Sequence, residues 1–498
     1  MNSPLRIDRL LGDRPCAEVG EPALAVTDDD GALLAVAGSG EFGAAPVGVY
    51  DVGDLGCRAL VRSGYPVHAM AFHPTLPLLA IGTGRYDGGY FFEGELLLLD
   101  LETGAAVSLI EHELGRQVLA LEWLTGLDLR VLMAPPDDWQ DKDAWSEGHV
   151  AVVRRPDWRA VPASSITGRE LAGPRVAAPR PDNRQDARRT VTGLSADWDP
   201  RRDVRAVEEL SDGRILATLD GTQAESWLPS GERQWTVPDD TGGRDIVVAA
   251  DELSIWVGLV RPDGPQTVVR ISSEDWARLE RLTLAGPASL VRCADGSPAI
   301  APAGRIGEGG RLRVRRGSQV YTREIEPERE RTPETAKAWL AAADVQKPPM
   351  TGHPRHPTNR EFRRLFPYSW VPGETHLAGP GVETTDGSLV YAGTVQHGAG
   401  LQPGGSFVVR RDVHIGQPRW VFRGDRRATD LDADAETAYI AYDDGEIVAL
   451  DLQDGTVRWR RHLTVAAIPA IPTALTATGA GRLLVGTSDG RILECSTG

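Results

Sequence analysis

A short unit of strand, Asp-Gly turn and strand returns along nearly the whole of this 498-residue chain and limits it to a narrow set of folds. Residues 24–27 read as a strand, Asp28-Asp29-Asp30-Gly31 as a turn and residues 33–37 as a second strand. The pattern recurs as 204–210, Asp212-Gly213 and 215–219, and again around Asp295-Gly296 and Asp386-Gly387. Glycine accepts positive φ without a Cβ clash and aspartate tolerates it, so the dipeptide suits tight hairpins. Further turns of this kind follow later strands at Thr103-Gly104, Asp444-Gly445, Asp454-Gly455 and Asp489-Gly490. Short, evenly spaced strands joined by hairpins predict stacked antiparallel sheets rather than βαβ units. The 55 glycines, 35 prolines and 6% aromatic content agree with that expectation.

Particular stretches carry a family resemblance. Val67-His68-Ala69-Met70-Ala71-Phe72-His73-Pro74 with Leu78-Leu79-Ala80-Ile81-Gly82-Thr83-Gly84 resembles the first two strands of a WD40 blade. Leu96-Leu97-Leu98-Leu99-Asp100-Leu101-Glu102-Thr103-Gly104 resembles its third strand and exit turn. Residues 445–451 and 454–459, ending in Arg458-Trp459, are similar to the repeat of quinoprotein (PQQ-like) propellers. No blade ends in the Trp-Asp dipeptide of strict WD40 repeats, and no Gly-His opens one.

The resemblance implies an all-β fold, a single β-propeller of four-stranded antiparallel blades spanning 1–498. Nine candidate blades can be counted, at 22–63, 67–112, 117–167, 203–240, 243–284, 287–327, 375–424, 427–464 and 472–497. Propellers usually have four to eight blades, and 203–240 and 287–327 are the poorest matches, so seven to nine are expected. The last segment runs out after its third strand, and residues 4–11 are the free strand expected to complete it and close the ring. Residues 168–202, rich in Arg, Pro and Asp, read as an inter-blade linker loop. Residues 328–374 read as an insertion with a small helix, N-capped by Thr332 and stopped at Lys347-Pro348-Pro349.

The longer connections are expected on one face of the disc, as B–C or D–A loops: 85–95, 135–147, 396–405 and the two inserts. Loops on a rigid scaffold carry recognition. Two of them are acidic and aromatic, with Tyr86, Asp87, Tyr90, Phe91, Phe92 and Glu93 in one and Asp137, Asp138, Trp139, Asp141, Asp143 and Trp145 in the other. Such a surface suits an arginine- or lysine-bearing protein segment, through apolar anchoring, charge pairing and cation–π contact. The same aromatics could instead pack over the blade edge.

A net charge of −17 repels phosphate backbones and anionic lipid, which excludes nucleic acid and membrane surfaces as expected partners. The cysteines at 16, 57, 293 and 495 form no C-x-x-C pair, and reduced thiols are expected. The first residues carry Arg6, Asp8 and Arg9 and lack a signal-peptide apolar stretch, so a cytoplasmic address is expected. No Gly-x-Ser-x-Gly, His-Glu-x-x-His or Walker loop is present, and no catalytic residue, metal ligand or cofactor is assigned. His353 and His356 sit in a Pro-rich tract without fixed ligand geometry, with His376 nearby in sequence. Asp430, Asp432, Asp434 and Glu436 mimic a calcium loop, but Ala435 stands where glycine is needed; they read instead as the outward polar positions of a strand.

The function expected is therefore a non-catalytic protein-interaction scaffold. Stand-alone bacterial WD40-like proteins imply a cytoplasmic signalling or defence assembly with a separate NTPase. The alternative is a propeller enzyme, a quinone-dependent dehydrogenase or a hydrolase or lyase, with its site in the central channel.

Overall fold

The computed structural model describes residues 5–39, 45–86, 92–111, 117–135, 143–196, 198–239, 241–249, 251–259, 267–283, 288–292, 298–302, 311–316, 319–324, 375–384, 386, 388–397, 400–412, 418–479 and 481–497. They form eight antiparallel four-stranded sheets and a few two-stranded ribbons, the kind of sheet from which β-propellers are built. The chain divides into two compact units, a smaller one of residues 14–200 and a larger one of residues 1–13 with 201–498.

The smaller unit holds three of these sheets. The first joins Pro22–Thr27, Leu33–Gly38, Ala45–Asp51 and Cys57–Ser63. Val67–Phe72, Leu78–Thr83, Leu96–Asp100 and Ala106–Ser108 make the second. The third contains Val118–Trp123, Asp128–Met133, Glu147–Arg154 and Arg175–Ala177. Central strands are covered on both faces, so Leu78–Thr83 is buried throughout and reads as an unbroken apolar run.

The segment 168–202, expected as a loop, supplies the fourth strand of the third sheet and a helix, Arg184–Leu194. That helix packs on the first sheet and buries Ala187 and Val191, the latter in a cluster with Val19, Leu34, Val36 and Trp198. Its polar composition hid a two-residue apolar stripe at i, i+4 spacing. A shorter helix, Gly168–Leu171, opens with a full capping box between Thr167 and Glu170.

In the larger unit, sheets lie at 202–238, 243–283, 375–424 and 428–462, with two hairpins at 288–302 and 311–324 between the second and third. The last sheet runs Leu5–Leu11, Ile492–Thr497, Arg482–Thr487, Pro472–Gly479. Its N-terminal strand pairs from Leu5 with Thr497 to Leu11 with Ile492, so the expected completion of this sheet is found. Outermost strands are polar, as in Val457–His462, where five of six residues are exposed. Charged edge strands resist pairing with other chains.

The terminal sheet packs against 202–238: Leu11, Ala474, Leu484 and Ile492 share a core with Val204, Val207, Ile215 and Trp227. One succession of nine sheets therefore does not describe the larger unit, where 202–238 follows directly on the terminal sheet. Hydrogen bonds reinforce the contact, from Thr473 Oγ1 to the Val204 carbonyl and from Thr476 Oγ1 to that of Val207, both at 2.8 Å. Arg201 enters this junction as a buried cation, bound through both terminal nitrogens to Glu225 at 2.5 and 2.7 Å and through Nε to the Gly490 carbonyl at 3.0 Å. Gly490 has φ +82, and a Cβ there would lie 2.5 Å from the Arg201 Cβ. The turn thus requires glycine twice over, for its conformation and for the close passage.

The reading of Asp430 and Asp432 as outward positions is overturned, because both are fully buried. Asp430 accepts the Leu475 amide at 2.7 Å and Asp432 the Ala477 amide at 2.9 Å, both on the edge strand of the adjoining sheet. Those amides have no strand neighbour on that side, and a buried donor must find an acceptor. The stretch 396–405, expected as a loop, extends a hairpin in which Gln396 pairs with Leu401. Residues 328–374, with the expected helix, His353, His356 and the aromatics at 362–370, lie outside the described residues.

Candidate partner-binding rim and cavity of the smaller unit

The connection leaving Leu78–Thr83 forms a small ribbon in which Arg85 pairs with Glu93 and Tyr86 with Phe92. In the third sheet, the connection into Glu147–Arg154 ends in a turn closed by the Ser146 and Glu147 amides on the Asp143 carbonyl. The two connections meet through their aromatics. Ring centres lie 5.3 Å apart for Tyr86 and Phe92, 5.3 Å for Tyr86 and Trp145, and 5.1 Å for Phe92 and Trp145. The two contacts of Trp145 are edge-on, a geometry favourable beyond simple burial at these separations.

The three rings are not equivalent. Phe92 is fully buried with Ala134 and Ala144, whereas Trp145 is 53% exposed. Packing over the sheet edge thus describes Phe92, and exposure describes Trp145. Glu93 pairs with Arg85 at 3.5 Å, and Asp143 is exposed. Asp87, Tyr90, Phe91, Asp137, Asp138, Trp139 and Asp141, the other expected contact residues, lie outside the described residues.

A residue not singled out in the sequence completes the cluster. The Arg180 guanidinium lies 4.9 Å from the Phe92 ring centre and 5.0 Å from that of Trp145 and donates to the Ala144 carbonyl at 2.9 Å. It comes from Pro179-Arg180-Pro181, inside the segment taken for a loop. Flanking prolines stiffen the backbone and lower the entropy lost in holding that side chain.

Beneath this segment is a cavity of about 700 Å³. Its apolar wall comes from the first strands of the three sheets, including Leu24, Val26, Val67, Met70 and Leu121. Its polar lining comes from Ser39, His68, Arg180, Asp182, Asn183 and Arg184. His68 Nε2 is 2.8 Å from the Gly84 carbonyl and 3.0 Å from Gln117 Nε2. Burial pushes the His68 pKa down, and the charge of Arg180 adds to that against the Gly84 hydrogen bond, which leaves the ring neutral at pH 7. The buried Gln117 Oε1 has no hydrogen-bond partner among the described residues. No cluster of three or more metal-ligating side chains occurs among the described residues. No helix among them is long and apolar enough to cross a membrane.

No family model matches the chain, and no curated protein matches it. Among solved structures it is similar to Sqt1 of Saccharomyces cerevisiae, at 11% identity over 88% of this chain and 97% of that one, with a TM-score of 0.28. It is also similar to the computationally designed Ika8 protein, at 11% identity over 98% of each chain, with a TM-score of 0.21. At such scores neither likeness carries an argument, and the all-β fold rests on the sheets themselves.

Proposed function

We propose that this protein is a non-catalytic interaction scaffold that captures a basic, arginine-bearing segment of a partner protein on the rim formed by connections 85–95 and 135–147. The observation that carries this reading is Arg180 on Phe92 and Trp145: the aromatic cluster holds a guanidinium, and Trp145 keeps half its surface open. Cation–π contact with an exposed ring contributes roughly 0.5–1 kcal/mol, and more once solvent is excluded. Asp143 adds negative charge at the same rim, where Glu93 is already paired with Arg85, and Asp87, Asp137, Asp138 and Asp141 belong to the same connections by sequence. Aromatic anchors inside a charged border are the usual composition of an energetic hot spot.

The proposal extends to the architecture and the setting. The larger unit acts as a propeller whose ring ends on the sheet completed by Leu5–Leu11, supported by the packing of that sheet on 202–238. The setting is a cytoplasmic assembly, with an NTPase-containing complex as partner. Affinity capture from the native host tests the reading, using wild type, Trp145→Ala and Trp276→Ala, an exposed tryptophan of the larger unit. A specific partner should be held by wild type and Trp276→Ala and depleted with Trp145→Ala. Equal recovery with all three sinks the rim as the interface.

A further inference from the structure

In the larger unit, one end of the sheet 243–283 departs from its counterparts in the other sheets. Its first turn closes with the Glu252 amide on the Ala249 carbonyl, as Gly31 closes on Asp28 and Gly213 on Leu210. The closing residue has positive φ in all three, and only here is it not glycine. Its last turn, 272–277, repeats the form of 51–56, 100–105 and 451–456, in which the first amide donates to the sixth carbonyl. The fifth residue again has positive φ: Gly104, Gly455, the half-buried Leu55 and, here, Trp276 at φ 56. That backbone is unfavourable for any residue with a Cβ, so an exposed tryptophan there is strained. A third departure is the bulge of the fourth strand, which falls at Leu279. Four other sheets place Arg58, Gln234, Arg419 and Arg458 at this bulge, and Arg58 and Arg458 pair back to Asp51 and Asp451 at 2.7 and 2.8 Å. Leu253, Trp276 and Leu279 are 62%, 53% and 54% exposed. The Ser273 amide joins the two turns through the Leu253 carbonyl at 3.1 Å. Exposed apolar side chains, held partly in strained backbone where sister sheets use glycine and arginine, mark a surface with a use beyond folding.

We propose that this end of the sheet is a second docking surface, for a partner segment that carries an aromatic or aliphatic anchor flanked by lysine or arginine. Residues 249–254 and 272–278 supply Asp251, Glu252, Glu274 and Asp275 against one cation, Arg278. Arg214, which reaches the Ser273 carbonyl at 2.6 Å, is already paired with Asp212. The hydrogen bonds these carboxylates accept come from uncharged groups: the Leu253 amide for Asp251, the Ser211 amide and hydroxyl for Glu252 and the Ala277 amide for Asp275. The apolar side chains therefore sit in a negative border, complementary to a basic segment and repulsive to a second copy of the same surface. The proposal rests on the scaffold reading and gives it a second point of attachment, for a segment other than the one the rim holds.

The test pans a phage-displayed library of random dodecapeptides on the full chain carrying Trp145→Ala, which takes the rim out of play. The recovered peptides should join an aromatic or aliphatic residue to lysine or arginine. Their affinity should fall by about tenfold or more with Trp276→Gly and with Leu279→Arg, the loss expected at a hot-spot residue. Both substitutions install a residue that sister sheets hold at the same place, so both variants should stay folded by circular dichroism. Trp276→Gly should also melt no lower than the parent chain, since it relieves the strained backbone. The proposal is overturned if no peptide is enriched, if the enriched peptides lack basic residues, or if affinity is unchanged in folded Trp276→Gly. A midpoint several degrees lower in Trp276→Gly would show that the ring packs on its own unit. A concentration-dependent dimer in sedimentation, lost in Trp276→Gly, would assign the surface to a second copy instead. Because the selection target lacks Trp145, failure here leaves the rim reading standing, and failure of the rim leaves this test intact.

Discussion

The Arg180 guanidinium lies 5.0 Å from the centre of the Trp145 ring, so a cation of this chain occupies one face of the aromatic group expected to receive a partner's cation. The arrangement divides the aromatics by role. Phe92, fully buried under the arginine, is core, and Phe92→Ala should destabilise the smaller unit by about 3–5 kcal/mol through cavity formation. Trp145→Ala should cost less, about 1–2 kcal/mol, because a half-exposed ring leaves little void but gives up its contacts with Tyr86, Phe92 and Arg180. Chemical denaturation of the two variants checks the split, and a large loss for Trp145→Ala would return that ring to the core.

Removal of residues 1–12 strips Leu5–Leu11 from the terminal sheet and takes away the buried Leu5 and Leu11. The backbone groups of Ile492–Thr497 would then lose their partners and form an unprotected edge. The unfolding midpoint of the larger unit should fall by at least about 5 °C, since 1 kcal/mol shifts a unit of this size by about 2 °C and losing an edge strand with two buried leucines costs several kcal/mol. A thermal scan showing no change would contradict the pairing.

Arg201 and Glu225 are a buried pair, and the Trp227 indole also donates to Glu225, at 2.8 Å. Arg201→Met leaves the carboxylate buried without its cation and should cost about 3–5 kcal/mol. Arg201→Met with Glu225→Leu should recover much of that, because the uncompensated charge is gone. A double variant no more stable than Arg201→Met would show that the pair is not the source of the loss.

Asp203 adopts φ 36 beside Arg205 and Asp220. Burial raises its pKa to about 6, with Asp220 adding to the rise against the charges of Arg205 and Arg202. A folded-state value above the unfolded value of about 3.9 means that the protonated form favours the fold. That contribution is complete below about pH 4 and is lost as pH rises through about 6. Asp203→Asn, uncharged and tolerant of positive φ, should therefore stabilise more at pH 8 than at pH 5. Equal gains at the two pH values would rule out titration of Asp203 as the cause.

Much of the sheet pattern is legible in the sequence because hairpin turns and central strands obey local rules. Gly31, Gly213, Gly445 and Gly490 all adopt positive φ at the turns where Asp-Gly marked them. The terminal sheet was legible through its missing fourth strand. What escaped was set by distant partners. Asp430 and Asp432 look like solvent-facing carboxylates until the Leu475 and Ala477 amides of another sheet appear beside them. The helix Arg184–Leu194 buries only Ala187 and Val191, too thin a stripe to stand out among arginines. At the rim, the aromatic and acidic composition pointed to a cation site. Arg180 lay unnoticed because a Pro-Arg-Pro tripeptide carries no mark of what its side chain will meet.

The most direct test of the rim is a calorimetric titration of a captured partner against wild type and Trp145→Ala at two salt concentrations. The account predicts that Trp145→Ala weakens binding by about tenfold, the equivalent of roughly 1.4 kcal/mol at a hot-spot residue. It also predicts that wild-type affinity falls as salt screens the rim carboxylates. Unchanged affinity in a folded Trp145→Ala, with no dependence on salt, would contradict it.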